Sequence, residues 1–593
     1  MPHDPTLALP HPLTAAPAIA GPTDTLVYAG AARPRPFLLV ARGCNARGTE
    51  TRGVEVVEVG GRLLLETLCL DGTTCGNVLL APAQARRELL MHAGSLIETL
   101  LVSADGLLAQ WTRPAALPSG EVRLTFRLPG ATWHADGQLL RADAADGVRL
   151  LQLIPAPSWS VQEDRGQLIV AAAVAGGEGE GIRLLATADA DTSGAEARLR
   201  RLTNARATQA EADLVALRTR RLAIRTEVLE IDDSLAWAQA RLDAAAGEDE
   251  ALVHELAHGE SCPLDPDSRR GWTALGSLAS GSQIRPDLAT TAPLGMLALA
   301  RSAEWRGERL DVDMRAVLSS GEGGTQTSQA LTTAYRAALL ASADALEPWE
   351  GEPSADALRA RANALAAPVA KVSVGRRLPT LGPSHSTASD PIAALLAAAL
   401  ELPGRAPWIP PAEDPPPGVL RALTAWACLN DGPFERGFAL FRQHLGDGFA
   451  NGVGLWSDGK RFHDPAAAAL VPLVLVQGLL GARIEAYFGR LRLAPRLPPH
   501  WSRFTVEGLT IGDATVRMSY DLEGERHRFR FAQESGGVPV MLIFEPILAV
   551  PPSAQVWVDN TPADLVLRPA GDRMQASVQL PLEREREVSV GVR

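Results

Sequence analysis

Two histidines four residues apart, with a glutamate beside the first, are the residue types that zinc hydrolysis requires. The stretch "HELAH" at 254–258 supplies them. On a helix, His254 and His258 would share one face, and Glu255 would activate a metal-bound water. The flanks argue against this chemistry. "AGEDE" and "HGESCP" leave few residues to hold the ligands rigidly, and position 264, where an extended motif places a third histidine, is Leu264. A downstream glutamate ligand would have to be Glu304. Zinc held by His254 and His258 therefore stands as an alternative; the leading reading uses no metal and no cofactor.

A second set of residues points to sugar. Trp272, Trp349, Trp408 and Trp456 all fall at expected helix ends or in Pro/Gly-rich loops. A pyranose ring needs a flat apolar face to stack on, and an indole supplies one with a polar handle. Other signals fall away. "GGEGEG" at 176–181 lies between two strand-like runs, and its acids would repel phosphate, so it reads as a hairpin turn. No GxSxG elbow, P-loop or dinucleotide fingerprint occurs. The basic "RTRR" is soon followed by acids and reads as a solvated helix face.

The elements that would position these residues follow from length and pattern. A chain of 593 residues exceeds one hydrophobic core, so several domains are expected. The acids outnumber Lys and Arg by 69 to 57, a net charge of −12 that repels phosphate backbones, so nucleic acid is not an expected partner. The first 21 residues lack a basic start and are broken by prolines, unlike a secretory signal. The longest apolar run, "PAAAALVPLVLVQGLLG" at 465–481, is interrupted by Pro472 and Gln477. It reads as a buried helix, and no membrane partner is expected. Five scattered cysteines (Cys44, Cys69, Cys75, Cys262, Cys428) form no CxxC pair and fit a reducing cytoplasm.

Residues 25–192 alternate apolar runs with turn residues ("FLLVARG", "VEVVEVGGRLLLETLCLDG", "IRLLATAD"), the pattern of an antiparallel β-sandwich after a flexible 1–24. An Ala/Arg/Leu/Glu-rich stretch at 193–231 reads as a helical linker. From 232 to 488 come Ala/Leu-rich amphipathic segments, several opened by a capping residue: Asp232 or Asp233, Ser354, Asp390. No strict repeat period appears, so stacked helical hairpins are expected rather than a solenoid. Strand texture returns over 489–593 as a small C-terminal β-sandwich. The expected fold class is multidomain α+β.

This order resembles the six-hairpin glycosidases, a superfamily that includes glucoamylase-like, debranching-type and rhamnosidase-like enzymes. The resemblance rests on "DDSLAWAQARL", on "GWTALGSLASG" followed by "DLATTAPLGMLALARSAEWRGE", and above all on "YFGRLRLAPRLPPHWSRFTVEGLTIGDATVRMSYD". It implies a central (α/α)6 toroid whose loops form a funnel for sugar. Inverting hydrolysis there pairs a general acid with a general base ~6.5–9.5 Å apart.

The resemblance also marks where the family's acids would fall, and here the sequence departs from it. Aligning on Trp272 puts Arg269 where an Asp is common; Asp265 and Asp267 lie close by. The helix at "GGTQTSQALTTAYRAALL" offers Thr327 and Gln329, with Glu322 the nearest acid. The loop "NGVGLWSDGKRFHDPAAAAL" supplies Asp458, His463 and Asp464. The implied catalytic set is Asp267 and Asp464, with Asp458 and Glu322 in reserve. Arg270 and His463 would hold sugar hydroxyls, and Trp272, Trp456 and Trp408 would line the groove. The bland roles stand beside these: Asp265 and Asp267 as turn residues around Pro266, Asp464 as an N-cap before Pro465, Glu322 as a solvated loop acid.

Beside the zinc peptidase alternative at 254–258, two functions remain open. One is a metal-independent inverting hydrolase of an α-linked glucan or oligosaccharide. The other is a barrel that has lost chemistry and binds carbohydrate or serves as a scaffold.

Overall fold

The computed structural model describes residues 26–28, 36–41, 43–49, 52–70, 74–91, 94–112, 120–127, 132–136, 139–154, 159–164, 167–174, 182–204, 222–245, 297, 300–301, 304, 329–350, 352–365, 398–399, 415, 417–450, 454–456, 465–498, 500–563, 565, 567–570, 573–583 and 585–592.

The N-terminal strands form two antiparallel sheets. In one, nine strands run in the order Leu26–Tyr28, Thr74–Ala81, Gln84–Met91, Gly94–Ser103, Gly106–Thr112, Ile182–Asp189, Gly147–Ile154, Leu139–Ala144, Thr132–Asp136. The other has eight, from Trp159–Asp164 at one edge to Pro36–Ala41 at the other. The facing sides bury Val57, Val59 and Leu64 against Leu107, Ala109 and Leu184. Polar groups inside this core are paired. Glu98 takes the guanidinium of Arg87 and, at 3.0 Å, the indole N–H of Trp111. All three side chains are buried. Gly53, at φ +87°, lies over the guanidinium; a Cβ there would meet Arg87 Nη2 at 2.7 Å.

The outer side of the nine-stranded sheet is covered by helix α1, Thr192–Thr203. Its apolar positions Ala195, Leu199 and Leu202 recur at helical spacing. They pack on Leu101, Leu108, Val148, Leu150 and Leu185. Asp191 caps the helix, accepting from Gly194 N at 2.8 Å. Arg198 and Arg201 tie it down to Asp189 and Asp105 at 2.6 and 2.9 Å.

The stretch expected to be wholly helical then departs from expectation. Ala223–Thr226 is a strand, and it pairs antiparallel with Arg503–Ile511 in the C-terminal domain, Ile224 opposite Val506. Ile224 is buried while Arg225 is exposed, the period-two pattern of an edge strand. Pairing to a distant sheet edge has overridden local helix propensity.

Six more helices follow among the described residues: α2 (Leu229–Ala245), α3 (Gln329–Glu350), α4 (Glu352–Ala364), α5 (Val419–Asp431), α6 (Phe434–Ala450) and α7 (Pro465–Leu473). α3 packs along α4, and α5 along α6, as helical pairs. Asp232, expected as an N-cap, lies inside α2 and accepts from Thr226 N at 2.9 Å and Thr226 Oγ1 at 3.0 Å, fixing strand to helix. Ser354 likewise sits within the first turn of α4; Asp390 lies outside the described residues. Pro472 interrupts the amide ladder of α7, which passes into a π-helical turn at Val474–Leu479. From Ala467 to Leu480 the segment is buried apart from the half-buried Gln477, as its composition implied, and no helix among the described residues is long and apolar enough to cross a membrane.

The C-terminal part begins before residue 489. Arg483–Glu485 and Arg490–Leu493 join Val540–Phe544 and Val578–Leu582 in a four-stranded sheet. A seven-stranded sheet carries the edge strand Ala223–Thr226, and a three-stranded sheet completes the domain. Arg573 bridges domains: it donates to Leu497 O at 2.7 Å and to Glu435 of α6 at 2.8 Å, and stacks on Phe434.

Candidate functional site

Most residues singled out by sequence lie outside the described residues: Asp267, Asp464, Asp458, Glu322, Trp272, Arg270, His463, Trp408, His254 and His258. Trp349 belongs to α3, but its side chain is not described. Trp456 is described, and its place is in the core: it is fully buried. What the structure defines is the framework on either side of 457–464, the segment that holds Asp458, His463 and Asp464.

That framework starts from α6. Its buried positions Phe438, Phe441, His444, Leu445, Gly448 and Phe449 form one helical stripe, and His444 stands in the middle of it. The indole of Trp456 packs against His444 and Phe449, ring centroids 6.3 Å from each. Its Nε1 donates to the His444 carbonyl at 3.1 Å. Room for the indole comes from Gly448, where a Cβ would fall 2.5 Å from the Trp456 ring. The Gly448 carbonyl in turn accepts from Leu455 N at 2.7 Å.

The imidazole of His444 reaches the other side of the segment, its Nε2 lying 2.9 Å from Ala467 O in α7. Burial, with the Arg421 charge adding to it, lowers its pKa to about 4. The ring is therefore neutral at physiological pH. A carbonyl can only accept, so Nε2 carries the proton and Nδ1 is left as a lone pair. Nδ1 is buried with no hydrogen-bond partner among the described residues. Nearby, Arg421 of α5 grips Asp447 of α6 at 2.7 and 2.5 Å.

Helix α2 completes the frame. Arg241 is buried; it donates to Leu38 O of the N-terminal sandwich at 2.7 Å and to Gly454 O at 3.3 Å. Burial lowers its pKa to about 9, so it stays protonated at neutral pH. Gly454 adopts φ +62°, and a Cβ there would stand 2.9 Å from Trp237 Cε3, so glycine is needed twice over. One guanidinium thus links the sandwich, α2 and the approach to 457–464.

Glu304 is a further group of chemical interest. Arg301 holds it at 2.6 Å, its side chain is 10% exposed, and burial pushes its pKa up to about 7. A carboxylic acid poised near neutrality has the property a general acid needs. Sequence reading had reached this residue only as a possible metal ligand. Its burial, the feature that shifts its pKa, is a tertiary property. Among the described residues, no group of three His, Cys, Asp or Glu is placed to hold a metal ion.

No family model and no curated protein sequence matches the chain. Solved six-hairpin glycosidases resemble it at low identity. A bacterial glucoamylase complexed with acarbose has 10% identity and a TM-score of 0.46, over 76% of this chain and 96% of that one. A Streptomyces avermitilis α-L-rhamnosidase complexed with L-rhamnose has 11% identity and a TM-score of 0.40, covering 85% of this chain and 61% of that one. A family GH92 inverting mannosidase from Bacteroides thetaiotaomicron has 9% identity and a TM-score of 0.40, covering 92% and 91%. The chain thus spans about three fifths of the rhamnosidase.

Proposed function

We propose that the chain is a six-hairpin glycosidase-like protein that acts on an α-linked glucan or oligosaccharide, inverting and without a metal. In this reading the helical part closes into an (α/α)6 toroid. Asp267 and Asp464 serve as acid and base, Asp458 and Glu322 as reserves, and Arg270, His463, Trp272 and Trp408 contact sugar. The observation that carries it is the double anchoring at 454–456 and 465–467. Gly454 is fixed from α2, and Leu455 and Trp456 from α6, directly before a run of eight residues that contains two aspartates and a histidine. General acid–base chemistry needs such a run held in one geometry.

The second reading, a carbohydrate-binding protein without hydrolysis, is favoured by one feature: Arg269 stands where the resemblance puts an Asp.

The test is purified protein against a panel of α- and β-linked oligosaccharides, following reducing-end release and thermal shift. Hydrolysis that survives chelator and falls ~10²–10⁴-fold in Asp267→Asn or Asp464→Asn supports the first reading. A thermal shift without hydrolysis supports the second. Neither response rejects both, and bound zinc that is lost on His258→Ala favours the peptidase alternative.

A further inference from the structure

The seven-stranded and three-stranded sheets of the C-terminal part meet around a cavity of about 320 Å³. That volume lies at the lower end of small-molecule sites, which run from ~300 to ~1,000 Å³. Leu522 and His527 line it from paired strands, directly opposite each other in the register. Leu548 closes it from the three-stranded sheet, and Leu497 and Val550 from the adjoining loops. These walls are aliphatic. The polar side chains of the lining are the His527 imidazole and the carboxylate of Glu525, exposed in the turn between the paired strands.

His527 is held from behind. Its Nδ1 lies 2.9 Å from the Tyr520 hydroxyl, and the two rings stack with centroids 5.9 Å apart. Burial raises the pKa of the Tyr520 phenol above its ordinary value and lowers that of His527 to about 4. At neutral pH the phenol therefore keeps its proton and the imidazole carries only one. Two arrangements of hydrogen result. Tyr520 can donate to Nδ1, which makes Nε2 a donor. Alternatively Nδ1 donates to Tyr520, whose own proton goes to Trp501 O at 3.4 Å, which makes Nε2 an acceptor. The first is the stronger, because 3.4 Å is long for an O–H donor. In both, Nε2 has no hydrogen-bond partner among the described residues.

A gap left by imperfect packing is apolar throughout. Here an imidazole is fixed in orientation with one hydrogen-bonding atom to spare. A hydroxyl both donates and accepts, so it matches Nε2 in either arrangement. The aliphatic walls favour an apolar body, since a charge would lose its hydration there. Glu525 at the rim repels anions. None of the described lining residues is Trp, Tyr or Phe, so no flat face is offered to a pyranose ring.

We propose that this cavity is a binding site for a small neutral molecule with a hydroxyl on a compact apolar ring, the hydroxyl pairing with His527 Nε2. The site is built by residues 497–592 and stands independently of the reading given above for the helical part.

The experiment titrates the full chain calorimetrically with 4-methylphenol and with toluene, the same ring without the hydroxyl. Wild-type protein should bind the phenol about tenfold more tightly, the equivalent of one hydrogen bond. His527→Leu should retain toluene affinity and lose that preference. Val592→Trp, at the exposed end of the last strand, places a bulky side chain in the lining and should abolish binding of both. No preference for the phenol in the wild type, an unchanged preference in His527→Leu, or binding that survives Val592→Trp overturns the proposal. Displacement of the phenol by equimolar glucose also overturns it, because the cavity would then be a sugar site. If His527→Leu does not fold, Val592→Trp leaves the Tyr520–His527 pair in place, and the comparison of both ligands on that variant and the wild type decides.

Discussion

Glu98 in the N-terminal sandwich and the buried donors at the α6–α7 junction find their partners in different ways. In the sandwich, charge meets charge: Glu98 is saturated by Arg87 and the Trp111 indole, all inside a closed core. At the junction, side-chain donors meet backbone carbonyls: Arg241 on Leu38 and Gly454, His444 on Ala467, Trp456 on His444. A side-chain ion pair fixes two residues relative to each other. A side chain on a carbonyl fixes the course of the main chain. The first arrangement is structural, the second suits positioning.

The contrast can be broken most forcefully in the sandwich. Glu98→Ala strands a buried guanidinium and an indole N–H, and should cost about 3–5 kcal/mol in denaturant unfolding of the sandwich. A loss below ~1 kcal/mol would mean that water already reaches the pair.

Acid should strike the junction next. The folded-state pKa of His444 is depressed to about 4 from 6.5, so its contribution is complete above pH 6.5 and is lost as pH falls towards 4. At ~1.4 kcal/mol per pKa unit this is on the order of 3 kcal/mol. His527, also held near 4 by burial, titrates in the same window. Unfolding measured from pH 7 to 4 should steepen accordingly, and His444→Gln should flatten one share of the slope. An unchanged slope in that variant would show that the imidazole reaches solvent.

The smallest effect is expected where space alone is tested. Gly448→Ala drives a methyl into the Trp456 ring and should cost about 1–3 kcal/mol. The sandwich's own unfolding should be untouched if the two regions are as separate in energy as they are in chemistry.

Much of the strand pattern could be read before any coordinates. "FLLVARG" and "IRLLATAD" became paired strands because a short apolar run set off by turn residues is a local property of the chain. Helix α2 was legible in "DDSLAWAQARL" as an Ala/Leu-rich run of helix formers behind a pair of acids. The strand at Ala223–Thr226 was not, since its partner lies about 280 residues downstream and nothing local announces it. Asp232 looked like a cap by type and place; only the fold shows it binding Thr226. Of the candidate site, the sequence identified acids and aromatics by residue type, whereas His444, Arg241 and Gly448 carried no motif at all.

Composition and periodicity by themselves determined a multidomain α+β chain, acidic overall, with strands before and after a helical middle. Tertiary structure alone decided which buried polar atoms meet. The physical reason is range: side-chain alternation is written into neighbouring residues, but a hydrogen bond from Arg241 to Leu38 joins positions 203 residues apart and exists only once both cores have closed.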